Sequence, residues 1–356
     1  MRRLLCCLLL CGPALAAPTF TPVTPLAPGA TLDFPRDFGA HPGFKTEWWY
    51  ATGWLTTAAG KQLGYQVTFF RSATGQDARN PSQFAPTQLI IAHAALSDPA
   101  QGKLLHDQRS ARAGFGLAYA KTGDTDVKVD GWRMARRADG SYDVAIDGAG
   151  FTLRLALVPT QPVLPQGVGG YSRKGPRPQQ ASYYYSKPQL RTSGIVTRAD
   201  GSRQPVTGTT WLDHEWSSQV LDADSVGWDW LGANLDDGGA LMAFQVRGRG
   251  GAKLWGHATW RDRSGKIVHY GPDQVSFTPR RRWRSPRTNA AYPVAQRLVT
   301  GTTSWDIAPL QDDQELDSRR STGAVYWEGA VTVGRAGRTV GRAYLELTGY
   351  LAPMKL

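Results

Sequence analysis

Cysteine is confined to the start of this 356-residue chain, at Cys6, Cys7 and Cys11. Everything downstream is therefore without disulfides, thiolate nucleophiles and Cys-ligated metals. Histidine is scarce as well: the six residues show no His-x-His or His-x-x-x-His spacing, and "DHEW" (Asp213 to Trp216) lacks the helical two-His framework of zinc hydrolases. No metal is expected. The chain also has no Gly-rich phosphate loop and no Gly-x-Ser-x-Gly elbow, so neither nucleotide chemistry nor a serine-hydrolase mechanism is indicated, and no cofactor is called for. After the first residues no apolar run approaches the eighteen needed for a membrane-spanning helix. Helical periodicity is hard to find anywhere.

The first segment, "MRRLLCCLLLCGPALAAPTF", has two arginines, a short apolar run and small residues at Ala14, Ala16 and Ala17. This is the layout of a cleaved secretory leader ending near residue 17, which predicts a periplasmic or secreted protein. It holds all three cysteines; Leu10 before Cys11 is larger than a lipidation site wants. Acids are the minority charge, 29 Asp and Glu against 41 Lys and Arg, a net of +12 that becomes 12 − 2 = +10 once Arg2 and Arg3 are removed. A basic surface attracts anions. Because the basic residues are scattered, apart from "PRRRWRSPR" and "RKGPRP", a solvated surface is the favoured reading; the leader argues against nucleic acid and makes a membrane surface the second choice.

What the chain has in abundance is short runs of Val, Thr, Leu, Tyr and Trp, such as "LGYQVTFFR", "LIIAHAAL" and "FTLRLALVP", punctuated by 40 glycines and 23 prolines. These predict an all-β protein. An internal repeat adds detail: His93, Asp98, Gly102, Lys103 and His106 match His257, Asp262, Gly265, Lys266 and His269, and Trp48, Tyr50, Leu55 and Gln66 match Trp228, Trp230, Leu235 and Gln245. Two copies of one β-unit follow, each suited to a closed antiparallel barrel. A Pro- and Gly-rich stretch before "SKPQL" puts the boundary near residue 190, giving units 18–190 and 191–356.

Two aromatic-rich sites could carry chemistry. In "FKTEWWYATGWL" alternation places Glu47, Trp49 and Ala51 on one face of a strand and Trp48, Tyr50 and Thr52 on the other, so both faces are walled by packing. In "TGTTWLDHEWSS" the same rule groups His214 with Trp216 and Asp213 with Glu215. His214 reads either as a proton shuttle in a semi-dry pocket or as a satisfied core histidine with structural acids around it. Glu47, Glu328 and Glu346 also sit among aromatics, where a carboxyl is either ion-paired or raised in pKa. Structural pairing is the expectation for Glu328 and Glu346, and either state for Glu47. Of the tryptophans, Trp48 is expected in the core, and Trp49 or its second-unit equivalent in a greasy cavity; Trp48, Trp49, Tyr184, Glu215, Trp228 and Trp230 are the candidate ligand-binding residues.

These stretches, with "DFPRDFGAHPGFKTEWWYATGWL", "SYYYSKPQL", "GWDWLGANLDDG" and "YWEGAVTV...GRAYLELTGY" in order over residues 30 to 352, resemble the AttH/CrtC family of carotenoid 1,2-hydratases (hydroxyneurosporene synthases) and secreted AttH-type proteins. The resemblance implies two tandem lipocalin-like barrels. It also implies that His214 and Trp216, matching the family's His-x-Trp, line the pocket, with Asp213, Asp229 or Glu47 as candidate proton donor. For AttH-type members it implies an ABC-type transporter permease as partner. Two functions are thus in view: an exported carrier of a lipophilic, isoprenoid-like or lipid-like molecule, favoured by the leader, and a cofactor-independent hydratase acting on an isolated C=C bond.

Overall fold

The computed structural model describes residues 24–354 except 78 and 220, so the leader and its cysteines lie outside the described residues. Within these residues the β-rich runs form twenty-three strands. In chain order the first thirteen are β1 (Thr46–Thr57), β2 (Gln62–Ala73), β3 (Gln88–Ser97), β4 (Leu104–Arg112), β5 (Ala118–Ala120), β6 (Asp126–Val129), β7 (Trp132–Arg136), β8 (Tyr142–Gly148), β9 (Phe151–Val158), β10 (Leu164–Pro165), β11 (Tyr171–Arg173), β12 (Ala181–Arg198) and β13 (Arg203–Gln219). They make one antiparallel sheet ordered β4-β3-β2-β1-β13-β12-β9-β8-β7-β6-β5, with β10 and β11 added beside β12.

The second sheet comprises β14 (Ser225–Leu235), β15 (Ala240–Gly248), β16 (Lys253–Arg261), β17 (Ile267–Tyr270), β18 (Val275–Arg284), β19 (Ala291–Thr300), β20 (Thr303–Pro309), β21 (Glu315–Ser318), β22 (Ala324–Arg335) and β23 (Arg338–Leu347). Its order is β17-β16-β15-β14-β23-β22-β20-β19-β18, with β21 on β22. Both sheets are wound alike: a four-strand meander whose first strand pairs with the last strand of its sheet, β1 with β13 and β14 with β23. The repeat read from the sequence lies on these meanders, His93 on β3 against His257 on β16 and Gln66 on β2 against Gln245 on β15. Each sheet curls so that β5 and β6 reach β3 and β4, and β18 reaches β15 and β16, giving two lipocalin-like barrels. The sheets change between Gln219 and Ser225, whereas residue 190, the expected boundary, falls inside β12. The reason is that "SKPQL" continues a long bulged strand in spite of its proline; the register shift between Lys187 and Leu190 absorbs it.

Each barrel is filled by its inward-facing alternate residues: Trp49, Leu55, Tyr65, Val67 and Trp132 in the first, Leu231, Trp305, Trp327 and Val331 in the second. A third apolar layer joins the outer faces of the two barrels, with Tyr50, Trp54, Trp211, Trp230, Phe244 and Tyr344 interleaved. Burying one such aromatic removes roughly 150–250 Å² from water, about 4–6 kcal/mol at ~25 cal/mol per Å² before entropy. Aromatics therefore occupy both faces of β1 because one face fills a barrel and the other meets the second barrel. Polar ties fix the seam: Trp54 Nε1 donates to the Ala343 carbonyl at 2.9 Å, Ser97 Oγ to Gln314 Oε1 at 2.6 Å, and His93 Nδ1 lies 2.8 Å from the Tyr326 hydroxyl. Gly64 permits the closest approach, since a Cβ there would lie 2.4 Å from the Ala330 Cβ.

Candidate active site between the barrels

Strand β1 lies between β2 and β13, and its register with β13 pairs Glu47 with Trp216, Trp48 with Glu215, Trp49 with His214 and Tyr50 with Asp213. Alternation then separates the candidates. Glu47, Trp49, His214 and Trp216 point into the first barrel, while Trp48, Tyr50, Asp213 and Glu215 point to the seam.

Inside the first barrel, every polar atom of the Glu47 carboxylate is engaged. Oε1 accepts from His214 Nε2 at 2.8 Å and His41 Nδ1 at 2.7 Å; Oε2 accepts from Arg71 Nε at 2.7 Å and the His41 amide at 2.9 Å. Burial alone would raise this carboxyl, but the hydrogen bonds from His214 and His41 and the charge of His41 hold it well below the usual range. His214 is held in turn: its ring stacks on Trp49 at 4.6 Å, and its Nδ1 lies 3.0 Å from the Tyr185 hydroxyl. Burial lowers its pKa in spite of Glu47, so the ring is neutral, giving Nε2–H to Glu47 and accepting from Tyr185. For His41, burial pulls down but Asp37 and Glu47 outweigh it and raise the pKa, and its ring stacks on Trp216 at 3.8 Å.

His41, Glu47 and His214 place three ligand-type atoms within 4.8 Å of one another, a grouping that local spacing in the sequence does not reveal. The nitrogens sit at hydrogen-bond distance from one carboxylate oxygen and donate to it, and Arg71 brings a fixed positive charge to the same carboxylate. The arrangement is that of a closed hydrogen-bond network. His214, Trp216 and Trp49 are thus walled in, contrary to the expectation that they line the ligand pocket: the inner face they share is full. Trp49 is 1% exposed, whereas Trp48, expected in the core, is only partly buried at the seam.

Asp229 is placed elsewhere again. It faces the interior of the second barrel, where it accepts from Gln245 Nε2 at 2.7 Å, Arg247 Nε at 3.1 Å and the Tyr350 hydroxyl at 2.8 Å. Burial raises its pKa against Arg247 and these donors. As a candidate donor to the same pocket as Asp213 it is corrected: alternation on β14 sends Trp228 and Trp230 to the seam and Asp229 away from it.

The seam holds a cavity of about 350 Å³ walled by Trp48, Phe70, Trp228, Trp230, Phe244 and Val246. Asp213, Glu215, Glu328 and Glu346 come into this apolar space with the Lys174 ammonium, and Glu47 and Arg71 of the inner network also border it. Lys174 Nζ pairs with Glu215 Oε1 at 2.9 Å and lies over the rings of Phe244 and Tyr184. Burial pushes Asp213 up to about 7 against hydrogen bonds from Ser186, Tyr184 and Trp211. Tyr184 carries this order onward, its hydroxyl donating to Asp213 Oδ2 at 2.7 Å and accepting from Trp230 Nε1 at 3.1 Å. Glu346 is pushed by burial to about 7, with the Trp228 indole N–H donating to Oε2 at 3.0 Å in opposition. Burial and then the adjacent Glu346 charge push Glu328 well above the carboxylate range.

The structural pairing expected of Glu328 and Glu346 is therefore corrected: they face each other across β22 and β23 instead of meeting cations. Their aromatic neighbourhood is visible in the sequence, but their meeting depends on the register of the β22–β23 hairpin. Tyr50 and Lys174 join them from strands and loops far away in the chain.

Two fused antiparallel barrels with an acid-lined apolar hollow between them define a lipocalin-like class of protein. The chain matches the AttH-like family over residues 25–350, and it belongs to that family. A crystal structure described as an AttH from Nitrosomonas europaea is similar at 60% identity, covering 92% of this chain and 100% of that one, with a TM-score of 0.87. Kievitone hydratase from Nectria haematococca shares the fold at 14% identity, over 94% of this chain and 98% of its own, with a TM-score of 0.70. CghA with Sch210972 does so at 15% identity, over 86% and 89% of the two chains, with a TM-score of 0.53. No curated protein matches the chain.

Proposed function

We propose that this protein binds the unsaturated end of a lipophilic, isoprenoid-like molecule in the hollow between its barrels and performs acid-catalysed chemistry there, of the type that adds water across a C=C bond. The observation that carries this reading is the presence of raised carboxyls in an indole-lined cavity: Asp213, Glu328 and Glu346 beside Trp48, Trp228 and Trp230. A carboxylic acid kept neutral in an apolar site can protonate an alkene, and indole faces stabilise the cation that results. The volume is at the low end of the roughly 300–1,000 Å³ usual for ligand sites, which suits one end of a long hydrocarbon. Likeness to a hydratase fold agrees with this assignment without fixing the substrate.

A carrier role is the second reading, favoured by the leader-like first segment: the protein would work in the periplasm, hold a lipophilic molecule in the same hollow and pass it to an ABC-type transporter. Organic extraction of the purified full chain, with mass spectrometry, tests the shared premise. A co-purified apolar molecule is expected, and its loss in Trp228→Ala; a protein that carries none and whose tryptophan fluorescence is unchanged by an acyclic isoprenoid overturns both readings.

A further inference from the structure

We propose that Glu328 and Glu346 hold one proton between them and that this pair is the proton donor and acceptor of the cavity, an assignment that rests on the reading of the hollow as a substrate site. The two residues are direct partners across the β22–β23 ladder, and both line the cavity. Glu328 is buried with Oε2 lacking any hydrogen-bond partner, while Glu346 is partly exposed and receives the Trp228 N–H. Among the described residues neither carboxyl forms an ion pair; the nearby cation Lys174 is engaged by Glu215. The other titratable groups facing the pair are Glu215, whose charge raises Glu346, and the hydroxyls of Tyr50, Tyr326 and Tyr344, all raised first by burial and left neutral, with Tyr50 also hydrogen-bonding toward Glu328.

Two adjacent carboxylates in a space this dry do not both ionise, so the pair titrates as a unit and keeps one proton at neutral pH. Asp213 lacks this freedom. Its Oδ1 already accepts from Ser186 at 2.5 Å and Trp211 at 2.7 Å, and its Oδ2 from Tyr184 at 2.7 Å, so releasing a proton to substrate would require breaking an existing contact. It holds Tyr184 and, through it, Trp230 in place. Glu328, by contrast, has an oxygen, Oε2, with no hydrogen-bond partner.

The cycle balances with water as the sole co-reactant. The protonated carboxyl gives its proton to the less substituted alkene carbon, whose π electrons form the C–H bond. The tertiary cation left behind lies among Trp48, Trp228 and Trp230. Water forms the C–O bond from an oxygen lone pair and releases a proton to the carboxylate partner, so the pair ends as it began, with one proton. The reverse sequence removes water from a tertiary alcohol.

The test uses the full chain with glutamate carboxyl-labelled by carbon-13, an acyclic isoprenoid with a terminal trisubstituted alkene as probe, and heavy-oxygen water. At pH 7 the infrared spectrum should show a protonated, labelled carboxyl band whose frequency shifts in both Glu328→Gln and Glu346→Gln, because each removes one of the two carboxyls that share the proton, while the probe still quenches tryptophan fluorescence in these variants. Heavy oxygen should enter the product in the unaltered chain and fall at least about 100-fold in each variant. Asp229→Asn, altered in the second barrel, should retain band, quenching and labelling. A labelled band that is absent at pH 7, or unchanged in frequency in both glutamine variants, overturns the shared proton even where quenching shows that the hollow binds. Quenching without heavy-oxygen incorporation in the unaltered chain overturns the donor role and leaves a binding site. Absence of quenching overturns the cavity reading itself.

Discussion

Two sites lie back to back on the strands β1 and β13, built from the same residue types, and they have opposite electrostatics. On the inner face Glu47 is met by Arg71 and two imidazoles and stays ionised; on the outer face Asp213, Glu328 and Glu346 are raised toward or beyond neutrality. The difference is in the partners and not in depth, since Glu47 is as buried as any of them. A buried carboxylate met by a fixed cation and a full set of donors is structural, and buried carboxyls that meet no cation around a hollow are what chemistry requires. The aromatic stretch "TEWWY" serves both sides at once.

Removing the inner carboxylate should have the largest effect. Glu47→Ala leaves Arg71 buried without its counter-ion and strips two imidazoles of their acceptor, so it should cost about 5 kcal/mol, the upper end for breaking a buried pair. A urea-denaturation midpoint measures it; a loss below about 1 kcal/mol would erase the contrast between the faces. Trp49→Ala follows, at about 3–4 kcal/mol for a filled barrel interior, whereas Trp48→Ala should cost less and reduce probe quenching. Equal destabilisation by the two would show that the seam has no functional hollow.

How much of this can be read from residues alone depends on distance in the chain. Alternation within β1 and within β13 is local, so the division of Glu47 and Trp49 from Trp48, and of His214 and Trp216 from Asp213 and Glu215, is visible in the sequence, as are the all-β class and the repeat. Which face holds the hollow is not. The aromatics on the two faces are chemically alike, and only the docking of the second barrel against Trp48 and Trp211 determines where space remains. Asp229 misleads for a related reason: it sits between two seam tryptophans, and proximity in sequence places it on the opposite side of its strand. Glu328 and Glu346 stand out one by one, but a carboxyl pair is a property of the β22–β23 register.

The pH dependence of stability should separate the faces more finely. Carboxyls whose folded pKa is raised bind more protons folded than unfolded, so their contribution is complete below the unfolded value near 4 and is lost as pH rises through the folded value. Asp213 and Glu346, raised to about 7, and Glu328, raised further, therefore make stability fall from about pH 5 to pH 8. Glu47 and Asp37, held low, act in the opposite sense: their contribution is present above about pH 4 and is lost on further acidification. A tenfold difference in proton affinity between the folded and unfolded chain is worth about 1.4 kcal/mol. Midpoints of denaturation across this range should show a maximum near pH 5, and Asp213→Asn should flatten the alkaline side; a flat curve in the unaltered chain would mean that the seam acids ionise freely.

The smallest change in stability is expected where the chemical effect is greatest. Glu328→Gln keeps the shape of the side chain and removes a group whose ionised form the seam disfavours, and its Oε2 has no partner to lose. Replacing an unpaired buried ionisable group by a neutral isostere is neutral or stabilising, so the midpoint should shift by no more than about 1 kcal/mol in either direction. Burial and the charge of Glu215 raise Glu346, and Glu328 is already neutral where Glu346 titrates, so the labelled Glu346 carboxylate band should keep its pKa of about 7 in this variant. Destabilisation on the scale of Glu47→Ala would place Glu328 in a structural network like that on the inner face, and the two sides of β1 would then be alike.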